Sequence, residues 1–168
     1  MKLLLIGMMG SGKSSVGAAL SGKLGWPYLD NDALLERTAG ASARDLLESH
    51  GEDALRQAEA QVLTLVLGMP GPMIGSAAAG VVLDAADRLR LQQSPAHVVW
   101  LRATPQVLAR RVGSTHRPWL GDDVTATMRK FAAERNGFYA EVADQVVDTD
   151  VIPVGAVAKQ IIEALPAS

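Results

Sequence analysis

Lys13 and Ser14 close the run Gly7-Met8-Met9-Gly10-Ser11-Gly12-Lys13-Ser14, which fills every fixed position of the pattern G-x-x-x-x-G-K-[ST]. The spacing suits phosphate chemistry. Glycines let a backbone curl until successive N–H groups face inward around an anion. The Lys13 ammonium can then reach the outer phosphates of a nucleoside triphosphate, and the Ser14 hydroxyl can enter the shell of a Mg²⁺ ion. A helix starting here adds the partial positive charge of its N-terminus. Gly10, Ser11, Gly12, Lys13, Ser14 and Ser15 are therefore the candidate triphosphate-binding residues, with ATP and Mg²⁺ as the implied cofactors. A glycine turn without a ligand would need Lys and Ser to fall in place by chance.

A second group of residues could serve the other half of a transfer reaction. Asp30-Asn31-Asp32 stands at the C-terminal end of an expected strand, where open parallel sheets bind ligands. Alternate residues on an extended segment point to opposite sides, so one carboxylate can support Mg²⁺ while the other takes a proton from a substrate hydroxyl. Asp32 suits the cap of the next helix equally well. Arg56 and Arg135 lie on separate expected helices, where arginine is ordinarily a solvated charge. Facing the strand ends together, they would clamp a substrate carboxylate with planar, permanently charged groups. Glu59 either orients Arg56 at an i, i+3 separation or forms a surface pair of little worth. Arg110, Arg111 and Arg117 flank or lie within the polar loop Gly113–Asp122. An arginine on a loop that closes over phosphates excludes water and neutralises charge. Arg117, beside Pro118 and Trp119, is the better candidate, since Arg110 and Arg111 also suit a helix C-terminus as ordinary cations. His50, His97 and His116 are scattered without metal-ligand spacing, which argues against a zinc site.

Alternating strands and helices must position these groups. Lys2–Ile6 reads as a buried strand entering Gly7, and Ser14–Leu24 as a helix with Val16, Leu20 and Leu24 on one face. Tyr28–Asp30 ends a second strand, and Ala33–Thr38 forms a short helix capped by Asp32 or Asn31. Ser42 and Asp45 have capping-box spacing, Gly51 breaks the helix they open, and Asp53–Leu67 continues as a longer one. A third strand around Met73-Ile74 ends in a small-residue loop running to Gly80. Helices are expected at Asp84–Gln93, from Thr104-Pro105 to Val112, at Val124–Tyr139 and at Pro153–Leu165. Strands are expected at His97–Leu101 and Gln145–Val147. Such alternation gives a single α/β domain over 1–168, a P-loop three-layer sandwich with a central five-stranded parallel sheet. A substrate-binding helical segment would span about 33–63 and a lid about 112–124. Nothing repeats, and nothing marks a linker.

Composition excludes other classes. At 168 residues, 48% hydrophobic and 20% charged, the chain can bury a proper core. A net charge of −2 gives no reason to expect nucleic-acid or membrane-surface binding, and no apolar run approaches a bilayer span. Lys2–Ile6 stops at Gly7, too short for a signal-peptide core. The absence of cysteine agrees with a cytoplasmic protein, and nothing demands more than a monomer acting on a small-molecule substrate.

Taken together, the motifs resemble those of the shikimate kinases, in the nucleoside-monophosphate-kinase-like branch of P-loop proteins. The likeness runs roughly from Lys2 to Asp148. Gly7–Ser14 matches the phosphate loop, and Asp30-Asn31-Asp32 the D-x-D. Gly51-Glu52, Leu55-Arg56 and Glu59 resemble G-E-x-x-F-R-x-x-E, with Leu for Phe. Arg117-Pro118-Trp119-Leu120 resembles R-P-L-L, and Arg135, Tyr139, Glu141, Ala143 and Asp144 resemble R-x-x-x-Y-x-E-x-A-D. The resemblance implies phosphoryl transfer from Mg·ATP to the 3-hydroxyl of shikimate in aromatic amino acid biosynthesis. By that resemblance Asp32 is the base, and Asp30 holds Mg²⁺ through water beside Ser14. Arg56 and Arg135 bind the substrate carboxylate, Arg117 is the lid arginine, and Arg110 packs near the adenine. Ser76-Ala77-Ala78-Ala79-Gly80 departs from the family's Gly-Gly-Gly run, which would place Ala78, Ala79 and Gly80 against the substrate. Either the added methyls reshape the pocket for another acceptor or weaken shikimate binding, or the loop needs only negative φ angles and tolerates alanine. The rivals are a kinase of another cyclic polyol or amino-shikimate and a non-catalytic nucleotide-binding module.

Overall fold

Strand β1 (Lys2–Ile6) is the axis of the molecule. Its alternate side chains feed different cores, as the two-residue period of a strand requires. Leu3 and Leu5 pack with Val16 and Leu20 of helix α1 (Lys13–Leu24) and with Val157 and Ile161 of α7 (Val154–Glu163). Leu4 and Ile6 face the opposite core. That core is built from α3 (Ala43–Gly68), α5 (Pro105–Val112) and α6 (Val124–Val142), through residues such as Val62, Leu108 and Met128. The result is the three-layer arrangement expected of a strand buried on both faces. The computed structural model describes residues 1–113 and 120–166.

The remaining strands are β2 (Tyr28–Leu29), β3 (Met73–Ser76), β4 (Ala96–Arg102) and β5 (Gln145–Asp148). They form one five-stranded sheet of order β2-β3-β1-β4-β5, and all four pairings are parallel. The strands therefore end on the same side. Gly7, Asp30, Ala77 and Thr149 follow β1, β2, β3 and β5 there, on the ligand side of an open parallel sheet. Helix α2 (Asn31–Ala39) follows β2. A 3₁₀ turn (Val81–Leu83) and α4 (Ala85–Gln93) follow β3.

The helix starts correct the sequence reading in one place that matters. Neither Asp32 nor Asn31 caps α2. Asp30 does, its Oδ1 accepting from the Asp32 and Ala33 N–H groups at 3.0 and 3.4 Å. Asp32 thus stands in the first turn of α2, its side chain free of the capping role. The capping box of Ser42 and Asp45 is present, as its spacing predicts. Gly51, at φ 84° and ψ 178°, is non-helical and divides α3 into two helical stretches, as expected. Helix α6 runs one further turn than expected, to Val142.

Candidate active site

The phosphate cradle comes from backbone that only glycine can adopt. Gly7, Gly10 and Gly12 have φ of 144°, 81° and 98°. A Cβ on Gly7 would fall 2.6 Å from the Leu101 carbonyl oxygen, and one on Gly10 would fall 2.8 Å from Val112 Cγ2. The loop is therefore wedged against β4 and α5 as well as curled. Lys13 Nζ donates to the carbonyls of Gly7 and Met8 at 2.7 and 3.1 Å, which folds its stem back over the loop. Ser11 is 1% exposed, and its Oγ has no hydrogen-bond partner among the described residues. Ser14 and Ser15, in the first turn of α1, are exposed.

Next to the cradle, Ser14 Oγ donates to Asp30 Oδ2 at 2.8 Å. Burial pushes the Asp30 carboxyl up, but hydrogen bonds from Ser14, Tyr28 and the backbone of Ala33 and Asp32 outweigh it and hold the group below its ordinary value. A hydroxyl beside an ionised carboxylate is a hard-oxygen pair that fits Mg²⁺, which is commonly held by one or two carboxylates together with substrate phosphates. Among the described residues no group of three or more His, Cys, Asp or Glu could hold a metal ion.

The same cleft, of about 1280 Å³, takes in Lys13, Asp30, Asp32, Arg56, Ala78 and Arg135. Its far end is made of side chains. Arg56, on α3, reaches Glu59 Oε2 with Nη1 at 2.6 Å and Glu52 Oε1 with Nη2 at 3.4 Å. Arg135, on α6, is only 4% exposed, lies 4.1 Å over the Phe131 ring, and has no partner for its Nε among the described residues. A buried guanidinium with an unfilled donor is suited to an anion arriving in the cleft. Glu59 is 7% exposed. Burial pushes its carboxyl up further than the Arg56 and Arg135 charges pull it down.

The alanine-rich loop lies along this end. Among the described residues no non-glycine has positive φ, so Ala77, Ala78 and Ala79 need no glycine conformation. Gly80 has φ −87°, yet its lack of a side chain matters: a Cβ there would fall 2.1 Å from Arg56 Nη1. The glycine is kept for the guanidinium that lies against it. Tyr139, fully buried and stacked on Trp100 at 5.5 Å between ring centroids, donates its hydroxyl to the Ala79 carbonyl.

Arg110 and Arg111 separate cleanly. Arg110 is exposed in the last turn of α5. Arg111 lines the cleft, donating to the Gly10 carbonyl at 3.2 Å and to Thr149 Oγ1 at 3.1 Å. Arg117 lies outside the described residues. Sequence reasoning missed Tyr28, Ser76 and Thr149. Tyr28 reads as an ordinary strand residue, and only the fold brings its hydroxyl to Asp30 at 2.9 Å.

A parallel sheet of this order, a G-x-x-x-x-G-K-S loop after its first strand, and a carboxylate and buried arginine across one cleft define a P-loop kinase. The chain belongs to the shikimate kinase family, whose description matches residues 9–166. It is 36% identical to the shikimate kinase of Symbiobacterium thermophilum, across 98% of this chain and 96% of that protein. It is 37% identical to that of Halorhodospira halophila, across 98% and 93%. Among solved structures, a shikimate kinase from Acinetobacter baumannii in complex with shikimate superposes with a TM-score of 0.90 at 28% identity, covering 96% of this chain and 90% of that one. The shikimate kinase of Aquifex aeolicus gives 0.79 at 28% identity, covering 98% and 95%. The expected fold class and family resemblance both hold.

Proposed function

We propose that this chain transfers the γ-phosphoryl group of ATP to the 3-hydroxyl of shikimate, a step of aromatic amino acid biosynthesis. The observation that carries the reading is the buried Arg135, with an unfilled Nε, across one cleft from Lys13. Phosphoryl transfer needs little covalent help from a protein, so positioning and charge stabilisation supply most of the catalysis. Backbone N–H groups of the loop from Gly10 to Ser15 hold the phosphates, and Lys13 meets the transferring oxygens. Arg56 and Arg135 fix the acceptor by its carboxylate, while Ala78, Ala79 and Gly80 form the wall it rests on. Asp32 takes the proton of the attacking hydroxyl. Ser14 Oγ and Asp30 would hold Mg²⁺, Asp30 through water, and the ion would supply positive charge against the negative charge that develops on the transferred group. Arg117 is the lid arginine, and Arg110 packs near the adenine. The same reading takes the protein as a monomer acting on a small molecule in the cytoplasm, without a nucleic-acid or membrane partner.

The test is ADP release from Mg·ATP with and without shikimate in one coupled assay. Release that depends strongly on shikimate is the expected result. ATP binding without shikimate-dependent turnover would transfer the reading to another cyclic hydroxy acid. Silence across a panel of such acids would leave a non-catalytic nucleotide binder.

A further inference from the structure

Beneath the cation site lies a hydroxyl that the reaction scheme leaves unused. Asp30 spends Oδ1 on the backbone N–H groups of Asp32 and Ala33, at 3.0 and 3.4 Å. Its Oδ2 receives the Ser14 hydroxyl at 2.8 Å and the Tyr28 hydroxyl at 2.9 Å. Once the Ser14 oxygen turns to a cation, Tyr28 is the side chain still holding Oδ2.

Tyr28 is built to stay in place. A phenol has one proton to give. The charged carboxylate is the stronger acceptor, so that proton goes to Asp30. The Ser76 hydroxyl, 3.1 Å away, can then direct its own proton to the phenol oxygen, while its Oγ accepts the Asn31 N–H at 3.0 Å. The ring is fixed too. Gly17 lies inside α1, where glycine costs a helix about 1 kcal/mol relative to alanine. A Cβ there would fall 2.3 Å from Tyr28 Cε2. The helix gives up a side chain to seat this ring.

We propose that Tyr28 is a positioning residue for the divalent cation: its hydroxyl sets the orientation in which the Asp30 carboxylate meets the cation's water shell. The proposal rests on the Mg·ATP reading above. Groups that orient metal-supporting residues typically change metal affinity or activity by about 10- to 100-fold when removed.

Tyr28→Phe removes the hydroxyl and keeps the ring. Mn²⁺ titrated into ADP-saturated protein and followed by electron paramagnetic resonance should bind about tenfold more weakly in the variant. The Mg²⁺ concentration for half-maximal rate should rise in proportion, with KM for shikimate unchanged. Ser76→Ala, which loosens the phenol without removing it, should weaken Mn²⁺ binding by a smaller factor, and it carries the test if Tyr28→Phe does not fold. Unchanged Mn²⁺ affinity overturns the proposal, as does a loss of kcat with unaltered metal dependence. The Mn²⁺ titration needs no turnover. A wild-type protein inactive on shikimate would therefore defeat the kinase reading while Tyr28 was still decided by metal binding.

Discussion

On the function proposed above, the working groups at the phosphate end of the cleft are amides held by Gly7, Gly10 and Gly12 in positive-φ backbone. At the acceptor end they are side chains, Arg56 from α3 and Arg135 from α6, which meet only because both helices pack on one sheet face. A backbone site is local, so its geometry follows from a short run of residue types and tolerates little change. A side-chain site is assembled over distance. Its loop can accept alanine at 77, 78 and 79, provided φ stays negative and Gly80 leaves room for a guanidinium. The difference separates what the chain does to any triphosphate from what it does to one acceptor.

Substitutions can break that division. Lys13→Ala should have the largest effect, lowering kcat about 10³-fold in the coupled assay, in line with removal of one preorganised charge stabiliser. Arg135→Met keeps the stem and removes the charge. A hydrogen bond to a charged group is worth roughly 1.5–3 kcal/mol, so the acceptor KM should rise roughly 10- to 150-fold. KM for ATP should stay put; a parallel rise would erase the boundary between the two ends. Gly80→Ala should raise the acceptor KM by less, about tenfold, because the Arg56 head is a flexible end that can yield by leaving Glu59.

The smallest effect is a pH dependence confined to the acceptor end. The Glu59 carboxyl is raised above its ordinary 4.5, first by burial. The folded protein therefore holds this proton more tightly than the unfolded chain does. That contribution to stability is complete below about 4.5 and fades as pH rises through the folded value. Relative to wild type, Glu59→Gln should thus gain thermal stability, read as Tm, as pH rises from 4 toward neutrality. A gap that stays constant with pH would show that the shift is absent.

These two ends also differ in how legible they are. Gly7–Ser14 announces its geometry because glycine φ and the lysine offset are local properties. The strands and most helices follow from apolar period and caps. Arg56 and Arg135 are visible as residues, but their burial depends on which helix faces turn inward. Asp30 and Asp32 show why detail is lost. Both lie within one turn of the helix start, and only the observed cap bonds give the capping role to Asp30 and release Asp32. Arg111 loses detail in the same way: only the fold brings its guanidinium to the Gly10 carbonyl and Thr149. Tyr28, Ser76 and Thr149 carry no local signal, since their roles exist only across strand ends.

Helix α6 carries Arg135 and, one turn later, Tyr139, which grips the Ala79 carbonyl while resting on Trp100. The Arg135 half of the clamp and the contact that holds the wall are thus mounted on one rigid rod. A shift of that rod along its axis displaces charge and wall in step, keeping the distance between them while changing their distance from the phosphates. The choice of acceptor and the reach of the transferred group are therefore separate adjustments: the first lies in the side chains on the rod, the second in what packs beneath it.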